Sequence, residues 1–145
     1  MGNDEVKIRK ISSLDDEIFS LLTRSFPEVS WNRDNLAQFI NSDSAILLLA
    51  GKGNEGCGLL RAHILYRYDK KNPEIFLHEI DVNADYQRQG IGSALIERLK
   101  EIAKEINASE IWVIANRSNQ GAMHLYAKAN MRETHDDDVV LQFDF

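Results

Sequence analysis

The chain has 145 residues, 43% hydrophobic and 28% charged, with only two prolines; this is the make-up of one folded domain with a real core, and it excludes a disordered or fibrous chain. The balance of 17 basic against 23 acidic residues gives a net charge of -6, which argues against nucleic-acid binding through a basic surface and would suit a cationic partner. The single cysteine, Cys57, excludes an intrachain disulfide and a cysteine-built zinc cage.

Residues 6–11, VKIRKI, alternate apolar and polar as a half-buried strand does. The opening MGNDEVKIRK lacks the apolar core of a secretory signal, and Val6 stands where a myristoylation motif requires Ser or Thr. No apolar run approaches membrane-spanning length, so the expected location is the cytoplasm. Ser13 with Asp16 fits a capping box for a helix running to about Ser25 and ended by Pro27. A second helix is expected from near Asn32 to about Asn41, with Trp31, Leu36, Phe39 and Ile40 at helical spacing. The run AILLLA, residues 45–50, reads as a buried strand, and GKGNEG as a hairpin turn into a strand ending near Tyr66. After DKKNP, residues 74–82, EIFLHEIDV, form the next strand.

Ile91, Leu95, Leu99, Ile102 and Ile106 recur every three or four residues and predict a long amphipathic helix. A strand over 110–116, a short helix over Gly121–Ala129 and a closing strand, VVLQFDF, complete the chain, with the acidic turn Asp136–Asp138 before the last. This order predicts a mixed α/β sheet of about six to seven strands with about four helices, one domain over residues 1–145, with no internal repeat.

The loop between strand 74–82 and the long helix contains Gln87, Gly90 and Gly92. Free backbone N–H groups at the positive end of a helix dipole bind phosphate, and glycines let the backbone approach it closely. A tight turn whose glycines only supply positive φ is the alternative reading. The dinucleotide fingerprint needs a third glycine, and the nucleotide P-loop needs Gly-Lys-Ser/Thr; the loop matches neither.

QRQGIG, residues 87–92, resembles the Q/R-x-x-G-x-G/A signature of the GNAT superfamily of acyl-CoA-dependent N-acetyltransferases. NQGAMHLYAKANM, residues 119–131, resembles that family's second signature at Asn119, Ala122, Leu125, Tyr126 and Lys128. It departs at Asn130 and Met131, where the family has Gly and Phe, although Asn tolerates the left-handed backbone of a helix C-terminus. From about Gly58 onward the chain looks most like the aminoglycoside 3-N-acetyltransferases, in PEIFLHEIDV, RQGIGSALIERLK and the closing FDF, whereas the N-terminal helices that shape the acceptor pocket do not match.

The resemblance implies the GNAT acyl-CoA N-acyltransferase fold and acetyl-CoA as co-substrate; no metal is expected, because the histidines lack metal-site spacing. It implies that Gln87, Arg88, Gln89, Gly90, Ile91, Gly92 and Ser93 receive the coenzyme A pyrophosphate, and that Asn119 both caps its helix and contacts coenzyme A. Main-chain groups of Ile80, Asp81 and Val82 would pair with the pantetheine amides as an added strand, with the Val82 N–H as oxyanion donor. Glu79 falls where the aminoglycoside enzymes carry an active-site carboxylate and is assigned as general base; Tyr126 is the general acid for the departing thiolate.

Each assignment has a plainer competitor. Glu79 reads also as a solvated glutamate, Tyr126 as a core aromatic of a helix face that includes Ala122, Leu125 and Ala129, and Arg88 as a solvent-facing charge. Strand parity places Asp81 with Glu79 and sends His78 to the opposite face. Cys57, in a strand without a base partner, reads as structural, and His63, His78, His124 and His135 lack metal-site spacing. The Asp136–Asp138 run is a solvated turn or the rim of a cationic pocket. The expected activity is direct acetyl transfer from acetyl-CoA to a primary amine of a small cationic acceptor, possibly an aminoglycoside. Alternatives are a polyamine, amino-acid or protein α-amine acceptor, or a non-catalytic acyl-CoA sensor. Neither nucleic acid nor membrane is an expected partner, and the apolar tail would allow a homodimer.

Overall fold

A computed structural model describes residues 5–145; the reading of the first four residues lies outside them. Its elements are β1 (Val6–Lys10), α1 (Asp16–Ser25), α2 (Arg33–Ile40), β2 (Ala45–Lys52), β3 (Glu55–Leu65), β4 (Glu74–Val82), α3 (Ile91–Glu105), β5 (Glu110–Val113) and α4 (Gln120–Lys128). One sheet has the order β1-β2-β3-β4-β5. Its first three pairings are antiparallel and the last, β4 with β5, is parallel. A parallel pair needs a crossover, and α3 supplies it. The chain divides into two compact units, Met1–Ile114 and Ala115–Phe145.

In the first unit, α1 begins behind Asp15, whose carboxylate accepts from the Ile18 N–H at 2.8 Å. The cap therefore lies two residues beyond the expected Ser13, on a side chain of stronger acceptor character. Asn32 caps α2 by accepting from the Asn35 N–H at 2.9 Å.

One face of the sheet carries Leu47, Leu49 and Leu59, which pack with Leu22 of α1, Phe26 just after it and Leu36 of α2. The other carries buried Ile46, Leu48, Leu60 and Leu77. Against that face lies α3, with Ile91, Leu95, Ile96, Leu99 and Ile102 buried. The approach is close at Gly58, where a Cβ would stand 3.0 Å from Ile91 Cγ2 and 3.1 Å from Leu95 Cδ1. Each such Leu or Ile stabilises the fold by about 1.5–3 kcal/mol relative to exposure.

The β3–β4 ladder contains a bulge. Arg61 pairs with Glu79 while Ala62 pairs with Leu77, which leaves His78 as the extra residue. On β3, Leu59, Arg61 and His63 share one face, and their partners Asp81, Glu79 and Phe76 share it with them. The His78 ring also lies on this side, 5.6 Å from His63 and 5.0 Å from Phe76. His78 thus does not oppose Glu79 as alternation predicts, because the bulge adds a residue between the two parities.

The expected strand over 110–116 ends at Val113, and residues 139–145 enter no ladder. Among the described residues the sheet therefore has five strands rather than the expected six to seven. Val139, Val140, Leu141, Phe143 and Phe145 are exposed. Their apolar pattern suits a strand, but a strand exists only where its backbone groups find ladder partners.

Candidate active site

β4 carries Glu79 and Asp81 on the face that α1 and α2 cover further along the sheet. Glu79 is exposed, and its Oε2 accepts from Arg61 Nη2 at 2.8 Å. The Arg61 Nε is buried and has no hydrogen-bond partner among the described residues. Burial pushes the Asp81 carboxyl up, the negative charges of Glu28 and Glu79 add to this, and a hydrogen bond from the Val82 N–H opposes it. Asp81 thus feels the negative charge of two other carboxylates, an arrangement that favours a cation. Burial, then His78, then Arg61 push the His63 imidazole down.

The parallel β4–β5 ladder runs from the pair Glu74 and Glu110 to the pair Leu77 and Val113 and stops. Beyond it, Glu79 to Val82 still pair with β3 on one side. On the other side, the main chain of Ile80, Asp81 and Val82 has no strand neighbour among the described residues, an edge of the kind that an extended ligand adds to.

The loop that follows begins with Asn83, whose Nδ2 donates to Ser25 O at 2.8 Å and Gly56 O at 3.1 Å, while its N–H donates to Cys57 O at 2.9 Å. After a 3-10 turn at Ala84–Tyr86, the Tyr86 hydroxyl donates to the Glu55 carboxylate, which is the main reason that phenol is pushed up to about 12. Gln87 Nε2 donates to Val82 O at 3.2 Å, and Gln89 Nε2 to Asp85 O at 3.3 Å. Arg88 and Gly90 have φ of 62° and 80°, in the left-handed region. That conformation is routine for Gly90 and costs Arg88 about 1–2 kcal/mol. Gly90 is the N-cap of α3 and offers no side chain, so the first N–H groups of the helix, including those of Ile91, Gly92 and Ser93, lack a side-chain cap. An anion can take that place.

A cleft of about 420 Å³ opens beside this loop, lined among others by Arg24, Glu28, Glu55, Asn83, Asp85 and Tyr86. Cys57 lies buried at the start of β3, its thiol pushed up by burial and donating to Ala50 O at 3.3 Å. That environment does not generate a thiolate nucleophile. Among the described residues no group of three or more His, Cys, Asp or Glu is placed to hold a metal.

In the second unit, Asn119 caps α4 by accepting from the Ala122 N–H at 3.1 Å. Tyr126 is half-buried on the same helix, and burial pushes its phenol up. Asn130 has a φ of 66°, the left-handed value at which the family's glycine is replaced without difficulty.

The structure therefore brings Glu79, Ile80, Asp81 and Val82 together with Gln87–Ser93 in the first unit, and Asn119 with Tyr126 on one helix of the second. Sequence reasoning missed Arg61, Glu28, Glu55 and Asn83. Knowledge of the β3–β4 pairing would have found Arg61; the others meet the site through contacts distant in sequence.

The acetyltransferase (GNAT) family model matches residues 15–131. A ribosomal-protein bS18-alanine N-acetyltransferase of Escherichia coli (strain K12) is 37% identical over 60 residues, which are 41% of this chain and 40% of the relative. The fold is also that of an aminoglycoside acetyltransferase from an uncultured soil metagenomic sample, with a TM-score of 0.80 and 23% identity over 99% of this chain and 97% of the other. It is shared by the aminoglycoside N-acetyltransferase AAC(6')-Iy, solved in complex with CoA, with a TM-score of 0.74 and 16% identity over 97% and 95% of the two chains. With more than half its length matched by that one family model, the chain belongs to the GNAT family of acetyltransferases.

Proposed function

We propose that this protein moves acetyl from acetyl-CoA to a primary amine of a small cationic acceptor of aminoglycoside type, by direct transfer in a ternary complex. The observation that carries the reading is the open β4 edge at Ile80–Val82, bounded by Glu79 before it and by the uncapped start of α3 after it. These groups fit a thioester-bearing coenzyme: N–H and C=O groups for its amides and helix N–H groups for its diphosphate.

Glu79 accepts the proton of the attacking amine, directly or through water, as the C–N bond forms. Arg61, held on Oε2, orients the carboxylate so that Oε1 faces the amine. The Val82 N–H turns from the Asp81 carboxylate to the developing oxyanion. Tyr126 gives its phenolic proton to the sulfur as the C–S bond breaks. The carboxylates of Glu28, Glu79 and Asp81 favour a multiply charged acceptor. The similar proteins, AAC(6')-Iy and a ribosomal-protein enzyme among them, favour no single amine position on the acceptor. We assign the cytoplasm as its location and the exposed tail as a homodimer contact.

A second reading, transfer to a protein α-amine, is favoured by the 37% identity to the bS18-alanine enzyme. Thiol release from acetyl-CoA against aminoglycosides, polyamines and short peptides separates the two. Turnover with one acceptor class, strongly reduced in Glu79→Gln and Tyr126→Phe, supports the mechanism and names the substrate. Tight acetyl-CoA binding with no turnover on any acceptor would favour an acyl-CoA sensor instead.

A further inference from the structure

The loop 83–90 has no ladder of its own, yet it holds Arg88 and Gly90 in left-handed conformations immediately before α3. Its attachments converge on the β2–β3 hairpin. Asn83 bonds Gly56 O, Tyr86 bonds the Glu55 carboxylate, and Lys52 Nζ donates to Gln89 Oε1 at 3.3 Å. The hairpin is fixed in turn to the end of α1. The Gly56 N–H donates to Ser25 Oγ at 2.9 Å, and Arg24 Nη2 donates to Asn54 O at 3.0 Å. Contact there is too tight for a side chain, since a Cβ on Gly56 would fall 2.9 Å from Ser25 Cβ.

Of these ties, Tyr86 to Glu55 is the one that joins two side chains through an ionised acceptor, the stronger kind of hydrogen bond. It is anchored at one end on a strand and at the other midway between Asn83 and the glycines. We propose that Glu55 and Tyr86 are a positioning pair that holds the loop in its anion-receiving shape, so that their interaction is expressed as affinity for the diphosphate end of acyl-CoA. This rests on the coenzyme reading of the loop given above. Glu55 is a carboxylate and has no attraction for a diphosphate itself, so it acts only through Tyr86. Ordering the loop in advance removes an entropy cost that binding would otherwise meet.

The test is calorimetric titration of the full chain with CoA, using the wild type, Tyr86→Phe, Glu55→Ala, Glu55→Gln and the Tyr86→Phe/Glu55→Ala double variant, with KM for acetyl-CoA and for the acceptor measured in parallel. Tyr86→Phe and Glu55→Ala should each weaken CoA binding about three- to tenfold, the size expected of losing one ordinary hydrogen bond. The double variant should lose no more than the weaker-binding single variant, because the two residues act as one unit. Glu55→Gln keeps an acceptor for the hydroxyl and should recover most of the affinity. Acceptor KM should stay constant. Undiminished CoA binding in both single variants, additive losses in the double, or an equal rise in acceptor KM would overturn the positioning role. Failure of the wild type to bind CoA would instead remove the coenzyme reading of the loop, and the pair's role with it.

Discussion

Arg61 on β3 and Glu79 on β4 face each other beside a bulge, with guanidinium and carboxylate 2.8 Å apart. The pair is largely exposed, at 41% and 61% for the two side chains, so its contribution to stability is at most about 1 kcal/mol. Its contribution to catalysis is larger if it aims the carboxylate. Arg61→Met is expected to lower kcat about tenfold while CoA affinity and the unfolding midpoint stay near those of the wild type. Steady-state kinetics beside a urea titration reads both; a large stability loss with unchanged turnover would refute the orienting role.

Removing the proposed proton carriers should act on rate and not on binding. Glu79→Gln and Tyr126→Phe keep shape but not proton-transfer capacity, and each should cut kcat by about 10²–10⁴ with CoA affinity unchanged. Single-turnover acetyl transfer beside calorimetric CoA titration checks the separation.

Asp81 gives a pH signature. Burial and the charges of Glu28 and Glu79 hold its carboxyl above the ordinary 3.8, so the folded state binds this proton more tightly than the unfolded state. The contribution to stability is therefore complete below 3.8 and is lost as pH rises through the folded value. Asp81→Asn should accordingly stabilise the protein at pH 7, by at most about 1 kcal/mol after solvent screening, with the gain disappearing in acid. Urea unfolding across that range would count against the assignment if the variant were less stable at neutral pH.

Gly58 lies under α3. A methyl group there meets Ile91 and Leu95 at 3.0 and 3.1 Å and Asp81 O at 3.2 Å. Gly58→Ala should destabilise by about 1–3 kcal/mol through overpacking, read as a lowered denaturant midpoint.

The exposed apolar tail predicts self-association. Deletion of residues 139–145, which removes Val139, Val140, Leu141, Phe143 and Phe145, should convert a dimer to a monomer in light scattering. A truncated chain of unchanged mass distribution would place the contact elsewhere.

The long helix was legible because Ile91, Leu95, Leu99 and Ile102 keep a strict spacing, and each is buried. The strand carrying Glu79 was equally legible, with boundaries matching those observed. Relations that depend on pairing were not. The bulge at His78 follows from how β4 is laid against β3, and no local pattern in EIFLHEIDV announces an extra residue. Arg61 remained unseen for the same reason, since its partner is 18 residues away. The cap of α1 was misplaced because Ser13, Asp15 and Asp16 all have capping chemistry, and only the backbone decides that Asp15 accepts. The tail failed differently: its composition is that of a strand, but composition supplies no partner.

The β4–β5 ladder ends at Leu77 and Val113, and among the described residues it leaves one edge of Ile80–Val82 without a ladder partner, within the sheet rather than at its outer border. Such an edge is a template for any extended chain, including another molecule of the same protein. A ligand that occupies it, as proposed for acetyl-CoA, would therefore also shield it. Preparations held without one should aggregate faster on warming than those held with one, at equal concentration and ionic strength.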